Sequence, residues 1–227
     1  NNNILVGLRP HLFRGKMKTL VIMTGPQGSG NHLFSKVLGQ NNQISGWDSL
    51  QDKVWEAHEY EPYAEYWKDP TKLVDLDFTD NFNFFITSIS CPYFYDGQET
   101  IPDYELFSFY LKLKVKMKYL IIGRDKTILD YQQLRLRKKH TTHVFKDNID
   151  YLLKQEHMFI SQELLYLYRL PYLNSIERWI GVNETKDDTL LESMLKTDAN
   201  KKYINQSENT ELDDTIRSLM KGIQRLP

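Results

Sequence analysis

The chain has 227 residues, enough for one large domain with a substantial core. Its 29 Lys and Arg against 30 Asp and Glu leave a formal charge of -1, which excludes bulk electrostatic attraction to nucleic acid or an anionic membrane and confines charge effects to local sites. A single cysteine, Cys91, excludes an intrachain disulfide and fits a reducing compartment.

No apolar run approaches the roughly 18 to 20 residues of a bilayer span, and no secretory apolar region is legible. A soluble, cytoplasmic protein is the expectation. Residues 1–16, "NNNILVGLRPHLFRGK", read as an N-terminal extension whose "ILVGL" is either an edge strand or a frayed end. Residues 17–227 read as a single domain.

In chain order, "KTLVIMT" (18–24) has the unbroken apolar and β-branched character of a strand buried on both faces. "NHLFSKVLG" follows as a helix with Leu33, Phe34, Val37 and Leu38 on one face and Gly39 at its end. Residues 47–68 hold three of the four tryptophans among tyrosines and acids, and read as partly surface-facing helix. "FNFFITSIS" (82–90) is a second strand, and "PDYELFSFYLKLK" a helix with Pro102 at its first position. "KYLIIG" (118–123) is a third buried strand, leading into a helix whose inward residues are Ile128, Leu129, Leu134 and Leu136. "HMFIS" (157–161) is a short fourth strand. The helix after it is expected to bend or break at Pro171 and to stop near Gly181. Two polar loops, "GVNETKDDT" and "TDANKKYINQSEN", precede a final amphipathic helix, "ELDDTIRSLMKGI". This alternation predicts an α/β fold, three-layered, with a mainly parallel sheet flanked by helices, in the manner of P-loop nucleoside triphosphate hydrolases.

The first strand ends in "TGPQGSGNH" (24–32). Gly25 and Gly30 have the spacing of the phosphate-binding pattern G-x-x-x-x-G-K-[ST], but Asn31 replaces the lysine and His32 the metal-binding hydroxyl. Glycines between a buried strand and a helix let successive N–H groups and the helix dipole face one anion. Such a nest binds mainly through backbone, so losing lysine weakens it without abolishing it. Losing the hydroxyl removes the usual magnesium ligand, for which imidazole is a poor substitute. Gln27, Gly28, Ser29, Gly30, Asn31 and His32 are the candidate anion contacts, and no metal ligand is assigned. The same loop with no ligand, as a bare strand-to-helix turn, is the plainer alternative.

Arg124 and Asp125 follow the third buried strand directly, at the edge where α/β proteins bind ligands, and Gln132 comes eight residues after Arg124. Together the two motifs resemble the cofactor site of the sulfotransferases, which use 3'-phosphoadenosine-5'-phosphosulfate. The resemblance implies that "GPQGSGNH" holds the 5' phosphosulfate and that Arg124 with Gln132 holds the 3' phosphate. It aligns "HMFIS…YLNSIERWIGV" with the family's late strand and helix, and "ANKKYI" with its basic cofactor-closing loop, which assigns Lys201, Lys202 and Tyr203 to the 3' phosphate or adenine. It covers roughly residues 17–205 in order of elements. Three positions depart from the family: Gly28 stands in place of a loop lysine, Gln132 in place of serine, and Ser90 where many members carry a histidine two residues before Pro92.

Sulfuryl transfer needs a base for the acceptor's proton and cations on the bridging oxygen. Candidates for the base are His32, beside the loop, and His58 with Glu59 in "VWEAHEYEPYAEYW"; the resemblance, which places a glutamate in this region in some members, admits Glu56 or Glu59. The implied acceptor is a small molecule or glycan, with no nucleic-acid or membrane partner. The basic run "RLRKKH" (135–140) is a candidate for acceptor contact or a solvated helix end. Two other readings remain: a nucleotide or nucleoside kinase with an eroded loop, using Asp75 or Asp77 of "LVDLDF" as an acidic strand end, and a non-catalytic nucleotide- or anion-binding module.

Overall fold

The computed structural model describes residues 17–45, 61–78, 81–95 and 97–196. In chain order the elements are β1 (Thr19–Pro26), α1 (Asn31–Leu38), β2 (Ile44–Ser45) and α2 (Ala64–Lys68), then a 3-10 helix over Pro70–Val74. There follow β3 (Phe84–Cys91), β4 (Tyr93–Tyr95), β5 (Gln98–Thr100), α3 (Tyr104–Leu111) and β6 (Lys116–Gly123). The last are α4 (Lys126–Arg137), α5 (Thr142–Asn148), α6 (Asp150–Leu153), β7 (His157–Ser161), α7 (Gln162–Ile180) and α8 (Thr189–Leu195).

Five strands form one parallel sheet in the order β2-β3-β1-β6-β7. β1 is buried at every position because it lies between two neighbours and under helices on both faces. Alternation along it splits the core. Val21 and Met23 face α1, α7 and α8, with Phe34, Leu38, Leu173 and Ile176. Leu20 and Ile22 face the opposite layer, with Trp67, Leu73, Tyr104, Phe107 and Phe145. An apolar strand with no polar alternation therefore has a physical reason: each face has its own helical cover. The predicted α/β class with a parallel sheet between helical layers is the observed one. No helix among the described residues is long and apolar enough to cross a membrane.

Several local expectations shift. α3 starts at Tyr104, with Asp103 as its cap accepting from Leu106 N–H at 2.8 Å, so Pro102 lies outside the helix. Aspartate satisfies an orphan amide, which proline at the first position would not. The break in α7 falls at Arg169 (φ 51, ψ -131), two residues before Pro171, whose ring crowds the preceding turn. Ile128 and Leu129 are buried as expected, but Leu134 is exposed and Gln133 takes the inward position. Gln133 is there because its amide serves the β1 loop, as described below. The helix α8, the short strand β2 and the β4–β5 hairpin were not legible. Within residues 47–68 the described helix is Ala64–Lys68 only, and Trp67 is a core residue, its ring stacked on Phe107 with centroids 3.7 Å apart. The N-terminal "ILVGL", residues 47–60 and the "ELDDTIRSLMKGI" helix lie outside the described residues.

The layer under α3 buries three acidic hydrogens. Burial pushes the Cys91 thiol from 9.0 up to about 12, and burial likewise raises the phenols of Tyr104 and Tyr119. Their hydroxyls pair with Thr24 Oγ1 at 2.6 Å and Ser108 Oγ at 2.5 Å. Unfolding frees each group to ionise at its ordinary value, so the unfolded chain binds fewer protons above about pH 9 and stability falls as pH rises. For Cys91 the stabilising contribution is complete below its ordinary value of 9.0 and is lost between there and about 12. Urea midpoints should thus hold level below about pH 9 and decline above it, with Cys91 unlabelled by thiol reagents in the native state. A level midpoint at alkaline pH, or ready native labelling, contradicts this account of the core.

Candidate functional site

The site sits at the carboxyl ends of β1, β3, β6 and β7, all on one edge because the sheet is parallel. β1 adjoins strands from both halves of the chain, and a crevice at such a point is where open α/β sheets bind ligands.

After Pro26 the backbone closes a turn, Ser29 N–H donating to Pro26 O at 3.0 Å. Gly28 occupies the third position at φ 86, the left-handed value that a type II turn requires there. Gly30, at φ 111, then opens α1. A Cβ at Gly30 would stand 2.8 Å from Gln162 Oε1, so a side chain there is strained by the backbone and requires Gln162 to shift. No side chain caps α1. By contrast α3, α4 and α7 are capped by Asp103, Asp125 and Ser161. The first helical bond is Phe34 N–H to Gly30 O at 3.1 Å, so the amides of Asn31, His32 and Leu33 have no acceptor within the helix.

Side chains fix this loop from three directions. Ser29 Oγ donates to Asn31 Oδ1 at 2.9 Å, and Asn31 Nδ2 donates to Ser90 Oγ on β3 at 3.2 Å. Gln133 Nε2 donates to the backbone carbonyl of Gln27 at 2.8 Å, and Thr141 Oγ1 to the Gln27 side-chain oxygen at 3.3 Å. Arg124, half-buried just past β6, donates to the carbonyl of Gly28 and to Oε1 of Gln132. The two motifs read separately in the sequence are thus one structure. Two buried amide atoms beside the loop, Gln27 Nε2 and Gln162 Oε1, find no partner among the described residues.

His32, at the same helix start, meets a buried acid. Its Nε2 lies 3.2 Å from Oε1 of Glu61, whose side chain is fully buried while that of His32 is 22% exposed. Ser88 Oγ, on β3, donates to the second Glu61 oxygen. Glu61 was not among the glutamates singled out, although it closes the same acidic run. Its signal was Pro62: the Pro62 carbonyl accepts from Thr87 Oγ1 at 2.7 Å, which ties this segment to β3 and places Glu61 beneath His32. Trp67 Nε1 donates to the same Thr87 hydroxyl at 3.0 Å.

The structure brings Gln27, Gly28, Ser29, Gly30, Asn31, His32, Arg124 and Gln132 together. Glu56, His58, Glu59, Lys201, Lys202 and Tyr203 lie outside the described residues. Asp125 serves locally, capping α4 through Ile128 N–H at 3.0 Å. Asp75 and Asp77 follow the 3-10 helix and are exposed, so the expected acidic strand end does not form. The reason is Lys114, whose ammonium binds the carbonyls of Leu73 at 2.9 Å and Leu76 at 3.0 Å and holds that stretch as a turn. In the basic run, Lys139 pairs with Glu99 at 2.9 Å and His140 with Asp130 at 3.3 Å.

No family model and no curated protein sequence matches the chain. Among solved structures, the chain is similar to a mouse sulfotransferase complexed with PAP, at 12% identity and a TM-score of 0.42. That match covers 81% of this chain and 65% of the other, so the chain spans about two thirds of that protein's length.

Two glycines separate backbone strain from crowding at the loop. Gly97 has φ 74 and open space around a Cβ, whereas Gly30 has φ 111 and Gln162 in the way. Gly97→Ala should lower stability by about 1 kcal/mol, the cost of left-handed backbone alone. Gly30→Ala should lower it by roughly 1 to 3 kcal/mol more, the cost of overpacking. Equal urea-derived losses would show that Gln162 yields freely.

Proposed function

We propose that this chain binds a 3'-phosphoadenosine-5'-phosphosulfate-type nucleotide and transfers its sulfuryl group to a hydroxyl or amine acceptor, a small molecule or a glycan. The observation that carries the reading is the uncapped start of α1 behind a glycine turn, with a guanidinium from the neighbouring strand anchored on that turn. The first-turn amides of α1 suit a compact anionic group such as the 5' end of the nucleotide. Arg124 and Gln132 suit the 3' phosphate, since a guanidinium binds two oxygens of one anion at once. The nucleotide, when bound, supplies the activated sulfuryl group.

The remaining chemistry falls to the chain. His32 stands beside the loop, with its side chain 22% exposed. It takes the acceptor's proton while the acceptor's oxygen or nitrogen bonds to sulfur and the sulfur–oxygen bond to the nucleotide's phosphate breaks. The α1 amides face the negative charge that develops on the departing phosphate oxygen. A magnesium-bound triphosphate meets no lysine at position 31 and no hydroxyl at position 32, and Asp75 and Asp77 end no strand, so the kinase reading has less support.

Isothermal titration decides among the nucleotides. The wild type should prefer 3'-phosphoadenosine-5'-phosphate over adenosine-5'-phosphate, with or without magnesium. Arg124→Ala should remove most of the preference, about 2 to 4 kcal/mol. Equal affinity for the two, or tighter binding of magnesium-ATP, overturns the proposal.

A further inference from the structure

The first half of α7 carries an apolar stripe on its outer side. Leu164, Leu167 and Tyr168 are 39%, 68% and 56% exposed and share one helical face, while Leu165 between them is buried in the core. The two ends of the stripe differ in charge. Glu163 opens it, and Arg169, 3.8 Å from Glu192 of α8, closes it. That ion pair sets α8 against the Arg169 end, and the chain leaves α8 at Lys196, one helical turn after Glu192. Residues 197–227 follow, outside the described residues. Within them Thr210 stands three residues before Asp213, the spacing of a capping box. Leu212, Ile216, Leu219, Met220 and Ile223 then fall on one face of a helix. Its acids, Glu211, Asp213 and Asp214, come first, and its bases, Arg217 and Lys221, come later. An isolated helix of about this length is marginal in water, so its apolar face needs a surface to cover it.

We infer that residues 211–223 dock as a helix on the Leu164–Leu167–Tyr168 stripe of the same chain, antiparallel to α7. Residues 197–210 extend up to roughly 45 Å, enough to turn back from Lys196 to the stripe. In the antiparallel sense the acids that open the segment meet Arg169 and the bases that close it meet Glu163. The parallel sense sets acid on acid and base on base, which Coulomb repulsion opposes. The tether also decides among occupants. A segment on the same chain reaches an effective concentration on the order of millimolar, above that of a free partner or a second copy at micromolar concentration. The inference does not depend on what the β1 loop binds.

Hydrogen exchange of the full-length chain, at two protein concentrations, tests it. Amides of residues 212–221 should exchange about tenfold or more slowly than in an unfolded peptide. Leu167→Glu changes a surface position, and should return those amides to within about twofold of the peptide rate. The reciprocal experiment reads the other side of the contact. The thiol of Leu167→Cys should label about fivefold faster when Leu219→Glu is added, with Cys91 staying inert in its buried site. Unprotected amides at 212–221 in the wild type, or protection unchanged in Leu167→Glu, overturns the inference. Protection that rises with protein concentration marks a second copy on the stripe and overturns it too. If Leu167→Glu does not fold, the labelling pair still decides, because equal rates with and without Leu219→Glu overturn the inference.

Discussion

Everything at the site depends on the parallel pairing of β1 with both β3 and β6. Gly25 and Ser90 stand in register across one pair, and Thr24 and Ile121 across the other. Because all three strands run the same way, the segments leaving them emerge together, and residues some 60 to 100 positions apart become neighbours. Asn31 reaches Ser90 this way, and Arg124 reaches the carbonyl of Gly28. An antiparallel placement of either neighbour would put its following segment at the opposite edge. The site therefore inherits its rigidity from a strand that is buried at every position.

The central strands were legible because burial on both faces leaves an unmistakable composition, as in "TLVIM" and "YLIIG". The glycine turn was legible because only glycine adopts φ values such as those at positions 28 and 30 without strain. What escaped were polar residues with inward tasks. Gln133 looked like a surface residue between leucines, yet its amide links Gln27 to Thr141. Periodicity weighs apolar side chains and has no means of crediting one that is buried to satisfy a carbonyl. Glu61 escaped for a related reason. An acidic run reads as solvated, and only the long-range tie of Pro62 to Thr87 turns one of its members inward.

Buried charge is used sparingly elsewhere, and with a shared logic. Lys118 passes beneath the end of α7, where its ammonium donates to the carbonyls of Trp179 at 2.5 Å and Ile180 at 3.1 Å. A cation there satisfies carbonyls that the helix cannot, and opposes the negative end of its dipole. Glu177 does the reverse for the loop after α7, accepting from Thr185 N–H at 2.7 Å, Thr185 Oγ1 at 2.6 Å and Asn41 Nδ2 at 2.9 Å. Both of these buried charges are held by several hydrogen bonds, the condition under which burying a charge is tolerable.

The same logic bears on how a phosphate loop works without its lysine. In this loop the peptide between Gly28 and Ser29 is engaged at both ends, its carbonyl by Arg124 and its N–H by Pro26 O. That peptide cannot turn toward a ligand, so the amides left to face an anion are those further on, at the first turn of α1. Arg124 thus does two things at once from one position. It holds the carbonyl of Gly28 away from where an anion would meet repulsion, and it keeps a fixed positive charge beside the turn. A loop lysine supplies charge from a flexible stem, whereas a guanidinium bonded to the turn and to Gln132 supplies charge with orientation. Arg124 is therefore coupled to the loop's shape as well as to its charge, and a lysine at position 124 would replace only the second.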